Sequence, residues 1–176
     1  DVTIYASKID AAKQSNLAFI DNILLNVNQR VGLVGYSTNA VNYTGLITNN
    51  NFLKNSVLNY GVFGSTCICC GIYRAVDTFD ISASNKATIL MTDGQANYGC
   101  SGPGNYTGAS STSSSINAIA AANYSFFNKG IKVYSIGLGN NVDSSTLNEI
   151  ARQGGGEYYS VDSMQEMISV YNFLAS

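Results

Sequence analysis

A chain of 176 residues and 18.7 kDa is long enough to build one domain around its own core without obligatory cross-links, and residues 1–176 are read as a single unit. Hydrophobic residues supply 45 % of it but charged residues only 11 %, against about 25 % in an average globular domain, so solubility rests on Asn, Ser, Thr and Tyr, a balance that suits an extracellular or cell-surface protein. The net charge of −2 without any basic run excludes nucleic-acid binding, the lack of ~18 consecutive apolar residues excludes a membrane span in this chain, and the absence of His removes the commonest general base and zinc ligand.

In chain order, Ile9, Ala12, Leu17, Ile20, Ile23, Leu24 and Val27 form an apolar stripe that predicts a helix over Ser7 to Val27. Two paired strands are expected at Val31 to Tyr36 and Val41 to Thr48, before a turn at Asn49, Asn50 and Asn51. Helices follow at Phe52 to Tyr60 and Cys70 to Ser82, then a buried strand from Ala87 to Met91 that ends at Asp93-Gly94. Residues 94–115 are mostly Gly, Ser, Asn and Thr with the only proline, Pro103, and predict a long surface loop. Beyond it, helix (Ile116 to Asn128), strand (Ile131 to Ile136), helix (Ser144 to Arg152), strand (Tyr158 to Val161) and helix (Met164 to Leu174) alternate. That alternation predicts an α/β fold with a mostly parallel central sheet.

In such a sheet, ligands bind where loops converge at the carboxyl ends of the strands. Two loops carry suitable chemistry there: Gly64-Ser65-Thr66 offers a hydroxyl, and Thr92-Asp93-Gly94 a carboxylate. Each has a plainer reading, Thr66 as a helix cap and Asp93 as a turn residue bonded to its own backbone.

Six segments in order, KIDAAK (Lys8 to Lys13), RVGLVGYS (Arg30 to Ser37), STCICCGIYRA (Ser65 to Ala75), ILMTDGQAN (Ile89 to Asn97), IKVYSIGLG (Ile131 to Gly139) and LNEIARQGGGEYY (Leu147 to Tyr159), resemble the von Willebrand factor type A family. The resemblance implies a doubly wound sheet with helices on both faces and a metal-ion-dependent adhesion site at its top. By position, Thr66 matches the Thr that touches the metal, and Asp93 the Asp that holds it through water. Mg²⁺, or Mn²⁺ or Ca²⁺ in its place, suits oxygen donors of this kind and can accept an acidic side chain from a protein partner.

The family's first, central strand and its DxSxS motif should precede the first helix. Either Asp1, Thr3 and Tyr5 occupy the motif positions, with Tyr5 a poor substitute for Ser, or Asp1 to Ala6 is the loop after an upstream motif; the second register is preferred. A sheet without its centre exposes unpaired backbone groups on both sides of the gap. The expectation is therefore a truncated sequence, a cleaved piece that stays bound, or a strand supplied by another subunit or peptide.

Cys67, Cys69, Cys70 and Cys100 read as two disulfides with the connectivity open, Cys100 tying the long loop to one of the other three. Zinc or an iron–sulfur cluster is the alternative, disfavoured because CxCC lacks paired CxxC spacing and adjacent cysteines suit one tetrahedral ion poorly. Sequons begin at Asn105, Asn42 and Asn123, no more than composition produces by chance. No nucleophile with a base and no placed carboxylate pair is present, so the expected role is an adhesion module rather than an enzyme. The rival expectation is a structural subunit of a surface filament or layer whose sheet is completed by another chain.

Overall fold

The computed structural model describes residues 8–61, 64–80 and 84–175. Its first helix, α1 (Lys8–Ile23), stops short of the expected Val27 because Leu25 and Val27 have nothing to pack on and lie exposed in a turn. Strands β1 (Val31–Tyr36) and β2 (Ala40–Ile47) form an antiparallel pair. Asn49 does not turn the chain away from structure. Its side chain accepts from the Phe52 N–H and caps α2 (Asn50–Asn59), so the Asn run begins a helix.

The next helix, α3 (Ile68–Val76), is both earlier and shorter than Cys70 to Ser82. Nearly every residue in it is buried, so no polar stripe marks its ends in the sequence. Strand β3 (Lys86–Thr92) follows. The long loop carries a small hairpin of β4 (Tyr98–Gly99) and β5 (Ala109–Ser110), and α4 (Ser114–Lys129) starts before the loop was expected to end. Gly130, at φ 65°, closes α4 in the left-handed conformation that ordinary side chains avoid. The chain ends with β6 (Ile131–Leu138), α5 (Ser144–Gln153), β7 (Gly155–Val161) and α6 (Met164–Ala175).

The parallel sheet has the order β3-β6-β7. On one face Ile68 and Ile72 of α3, Ala118 and Ala121 of α4, and Leu147 and Ile150 of α5 form one core cluster with Leu90 of β3 and Val133 of β6. On the other, Ala12 of α1 and Met167 and Tyr171 of α6 cover Ile136, Leu138 and Val161. Each fully buried Ile or Leu contributes about 1.5–3 kcal/mol, so these two layers hold the sheet between them. The buried hydroxyl of Ser135 donates 2.8 Å to the Leu147 carbonyl, which pins α5 over β6 without an unpaired polar atom.

Among the described residues, no backbone ladder joins the β1–β2 pair to the parallel sheet. Cavities of about 550 and 620 Å³ lie between them. Both are walled by Gly32, Leu33, Val34 and Tyr36 from β1 and by Ile89 from β3. The Tyr36 hydroxyl crosses this groove to the Met91 carbonyl at 2.6 Å. Asn16 spans its floor, accepting from Tyr171 at 2.6 Å and donating to Tyr60 at 3.2 Å.

Candidate functional site

At the carboxyl end of β3 the two halves of the molecule meet in three loops. The Thr66 loop is tied to the β1–β2 turn by the Cys67 N–H on the Ser37 carbonyl (2.7 Å) and the Ser65 N–H on the Thr38 hydroxyl (3.1 Å). On its other side the Thr66 N–H donates to Asn97 Oδ1 at 2.7 Å. The Thr66 carbonyl accepts from the N–H groups of Asn97 (3.1 Å) and Tyr98 (3.2 Å). Thr66 is thus clamped by backbone and amide bonds that leave its side chain out of the scaffolding.

Thr66 does not cap α3; the N-cap position belongs to Cys67. Nor does Asp93 make its own turn. The Gly94 N–H reaches the Thr92 hydroxyl at 3.3 Å, while the Asp93 carboxylate is 61 % exposed with the Lys8 ammonium 3.9 Å away. Gly94 lies beside the half-buried Thr66 side chain, where a Cβ would stand in ordinary contact at 3.6 Å from Oγ1. Thr66, Asp93 and Lys8 all line the 620 Å³ groove mouth.

The described donors are hard oxygens, one hydroxyl and one exposed carboxylate, of the kind Mg²⁺ accepts while keeping several waters. They fit the part of a metal site that they would form. Asp1 and Thr3 lie outside the described residues.

The long loop is docked rather than free. Ala40 and Gly108 N–H groups bond to the carbonyls of Tyr106 and Thr38 at 2.8 Å each, and the Tyr106 hydroxyl bonds to Asp77. That bond and burial push the Tyr106 phenol upward, whereas Arg74 beside it acts in the opposite sense. Cys69 is joined to Cys100, and Cys67 to Cys70, so one bridge fastens the loop to the start of α3 and the other lies within its first turn. All four sulfurs sit in one cluster.

Of the three sequon asparagines, Asn123 is half-buried in α4 with its amide on Gln153 (3.0 Å), and Asn42 is half-buried in β2. Asn105 holds a loop turn by accepting from the Thr107 N–H at 2.9 Å. Sequence reasoning missed Asn97 as a site residue. Its signal was present in ILMTDGQAN, but one Asn among many carries no mark of a reciprocal bond to a loop 31 positions away.

The sequence profile of the von Willebrand factor type A domain matches residues 4–172. A UPF0353 protein of Nocardia farcinica is 24 % identical over 198 residues, covering 96 % of this chain; the chain spans 56 % of that relative's length. Among solved structures, the PilB minor pilin of Streptococcus sanguinis superposes with a TM-score of 0.81 at 18 % identity, over 98 % of this chain and 54 % of the pilin. The domain of the type V pili tip protein Mfa5 from Porphyromonas gingivalis gives 0.78 at 13 % identity, over 95 % and 86 %. At these identities the superpositions establish the fold.

Proposed function

We propose that this chain, which belongs to the von Willebrand factor type A domain family, is an extracellular or cell-surface protein-binding module that engages its partner through a metal ion held at the groove mouth. The observation that carries this reading is the convergence of Thr66 and Asp93 on one groove, with the Thr66 backbone locked by Asn97 while its hydroxyl takes no part in that lock. Thr66 would hold the ion directly and Asp93 through water. When bound, a Mg²⁺-type ion supplies a Lewis-acidic position for a carboxylate of the partner. The chain's own residues orient the donors: Thr92 sets the Asp93 turn, and Asn97 fixes the Thr66 loop.

Pilus proteins stand among the structural neighbours, which favours a place at a surface or in a filament over catalysis. The test is titration of the native protein with Mn²⁺, followed by electron paramagnetic resonance. One bound ion is expected in the wild type, with binding lost in Asp93→Ala and Thr66→Ala. Equal Mn²⁺ binding by all three proteins would overturn the reading.

The groove between β1 and β3 favours a second reading, a structural subunit whose sheet is completed by a strand from another chain. Native mass spectrometry distinguishes it. A peptide or second subunit bound in the groove adds mass, whereas a stably folded protein that keeps the mass of its own polypeptide rules out donation in trans.

A further inference from the structure

The four cysteine sulfurs are a second site of the molecule. Each supplies one ligand atom, and all four atoms lie within 4.8 Å of one another. Cys67 and Cys69, which belong to different disulfides, have their sulfurs 3.7 Å apart. Four sulfurs at the ~2.3 Å bond length of a zinc thiolate stand about 3.8 Å from each other; the Cys67–Cys69 pair already has that spacing, and the two bonded pairs must separate on reduction to reach it. We propose that, with both disulfides reduced, these four sulfurs bind a single Zn²⁺ ion.

In the sequence, CxCC lacks paired CxxC spacing, and the adjacent Cys69 and Cys70 suit one tetrahedral ion poorly. The fold removes that objection. Cys67 is the N-cap of α3 and Cys70 stands one turn on, which is itself CxxC spacing; Cys69 points to the same cluster, and Cys100 arrives from the β4–β5 hairpin. Cys67, Cys69 and Cys70 are fully buried beside Ile68, Ile72 and Ala118, which keep water away from the sulfurs. The N-terminus of α3 favours thiolate over thiol. Gly108 closes the cluster from the loop side, where a Cβ would lie 2.9 Å from the Cys67 sulfur.

The disulfide and zinc states use the same atoms and exclude each other. Two equivalents of a dithiol reductant open the two S–S bonds, each donating two electrons and two protons and leaving as its own disulfide. The four thiols then release four protons as Zn²⁺ binds. Two equivalents of a small-molecule disulfide take up the four electrons and four protons from solution, leave as thiols, restore both bridges and release Zn²⁺. The site thus couples metal content to redox state without involving Thr66 or Asp93.

The experiment is an anaerobic Co²⁺ titration of the whole chain, reduced and oxidised, followed by visible and near-ultraviolet absorption. The reduced chain is expected to bind one Co²⁺ with the intense bands of tetrahedral thiolate coordination. Zn²⁺ should displace it stoichiometrically, and both the oxidised chain and Cys100→Ser should lose these bands. Because oxygen ligands give weak bands and do not respond to reduction, failure here is distinguishable from failure at Asp93. A reduced, folded chain without thiolate bands, or a Cys100→Ser variant that binds as the wild type does, overturns the proposal. If the reduced chain unfolds, one equivalent of Zn²⁺ should restore its native circular dichroism, and a chain that stays unfolded with Zn²⁺ overturns it equally.

Discussion

The Tyr36 hydroxyl donates a 2.6 Å hydrogen bond to the Met91 carbonyl, so the last residue of β1 reaches across the groove to the edge of β3. Burial pushes this phenol well above its ordinary range, which favours the protonated, donating form. Its ring lies against α3 only because residue 71 is glycine; a Cβ there would sit 2.9 Å from the ring. Tyr36→Phe is therefore expected to cost about 1 kcal/mol through the unpaired carbonyl, and Gly71→Ala about 1–3 kcal/mol through overpacking. Urea unfolding measures both, and an unchanged midpoint for Gly71→Ala would contradict the packing described.

Lys8 and Asp93 form a half-exposed pair at 3.9 Å, the class of contact that contributes little to stability. Its consequence lies in the site, where the ammonium competes with a divalent cation for the same carboxylate. Lys8→Met should leave the melting temperature nearly unchanged. It should tighten Mn²⁺ binding by about twofold to fivefold at low salt, the equivalent of a surface pair, and the gain should fade as salt screens it. Weaker binding in Lys8→Met would mean that Lys8 supports the site rather than opposing it.

The two disulfides close loops of very different length, with sequence separations of 31 for Cys69–Cys100 and 3 for Cys67–Cys70. Loop-closure entropy assigns about 4 kcal/mol to the first and about 2 kcal/mol to the second. Replacing Cys69 and Cys100 by Ala should therefore lower the melting temperature more than replacing Cys67 and Cys70. It should also expose residues 98–110 to proteolysis. Equal losses, or the reverse order, would show that chain entropy is not what the long bridge supplies.

Acid sensitivity follows from two carboxyls on α5. Asp143 caps the helix by accepting from the Thr146 hydroxyl (2.6 Å) and N–H (3.0 Å), which lower its carboxyl below the ordinary value. The Arg152 guanidinium, joined by Gln153, holds the partly exposed Glu149 down at about 2, but solvent screens this surface pair and leaves it a small contributor beside the Asp143 cap. Both groups are depressed on folding, so their stabilisation is complete above the unfolded values and is lost as pH falls through the folded ones. With no His to titrate, the urea midpoint should hold between about pH 8 and 5 and fall from roughly pH 4.5 toward 2. Asp143→Ala should cost about 1 kcal/mol near neutrality and less in acid. An equal loss at both ends would remove the capping argument.

The order of elements was legible because period and composition change sharply at each boundary that faces water. It failed where burial is uniform or capping is local. Helix α3, buried at all but Arg74 and Ala75, gave no clear polar boundary, and Asn49 caps α2 where an Asn run suggested only a turn. Of the candidate site, Thr66 and Asp93 were visible through the family resemblance. What could not be read was their support: the Asn97 clamp, the Lys8 neighbour and the pairing of Cys69 with Cys100 all depend on contacts between residues distant in the chain. The meeting of Cys100 with the Cys67–Cys70 segment was legible, whereas which cysteine it pairs with was not.

The most direct measurement of the metal-site account is Mn²⁺-induced broadening of backbone amide signals in an NMR spectrum of the labelled protein. The account predicts that the amides of Thr66, Asp93 and Gly94 disappear first at substoichiometric Mn²⁺, that broadening weakens with distance from these loops, and that Asp93→Ala abolishes the pattern. Broadening centred away from these loops, or identical in Asp93→Ala, would contradict it.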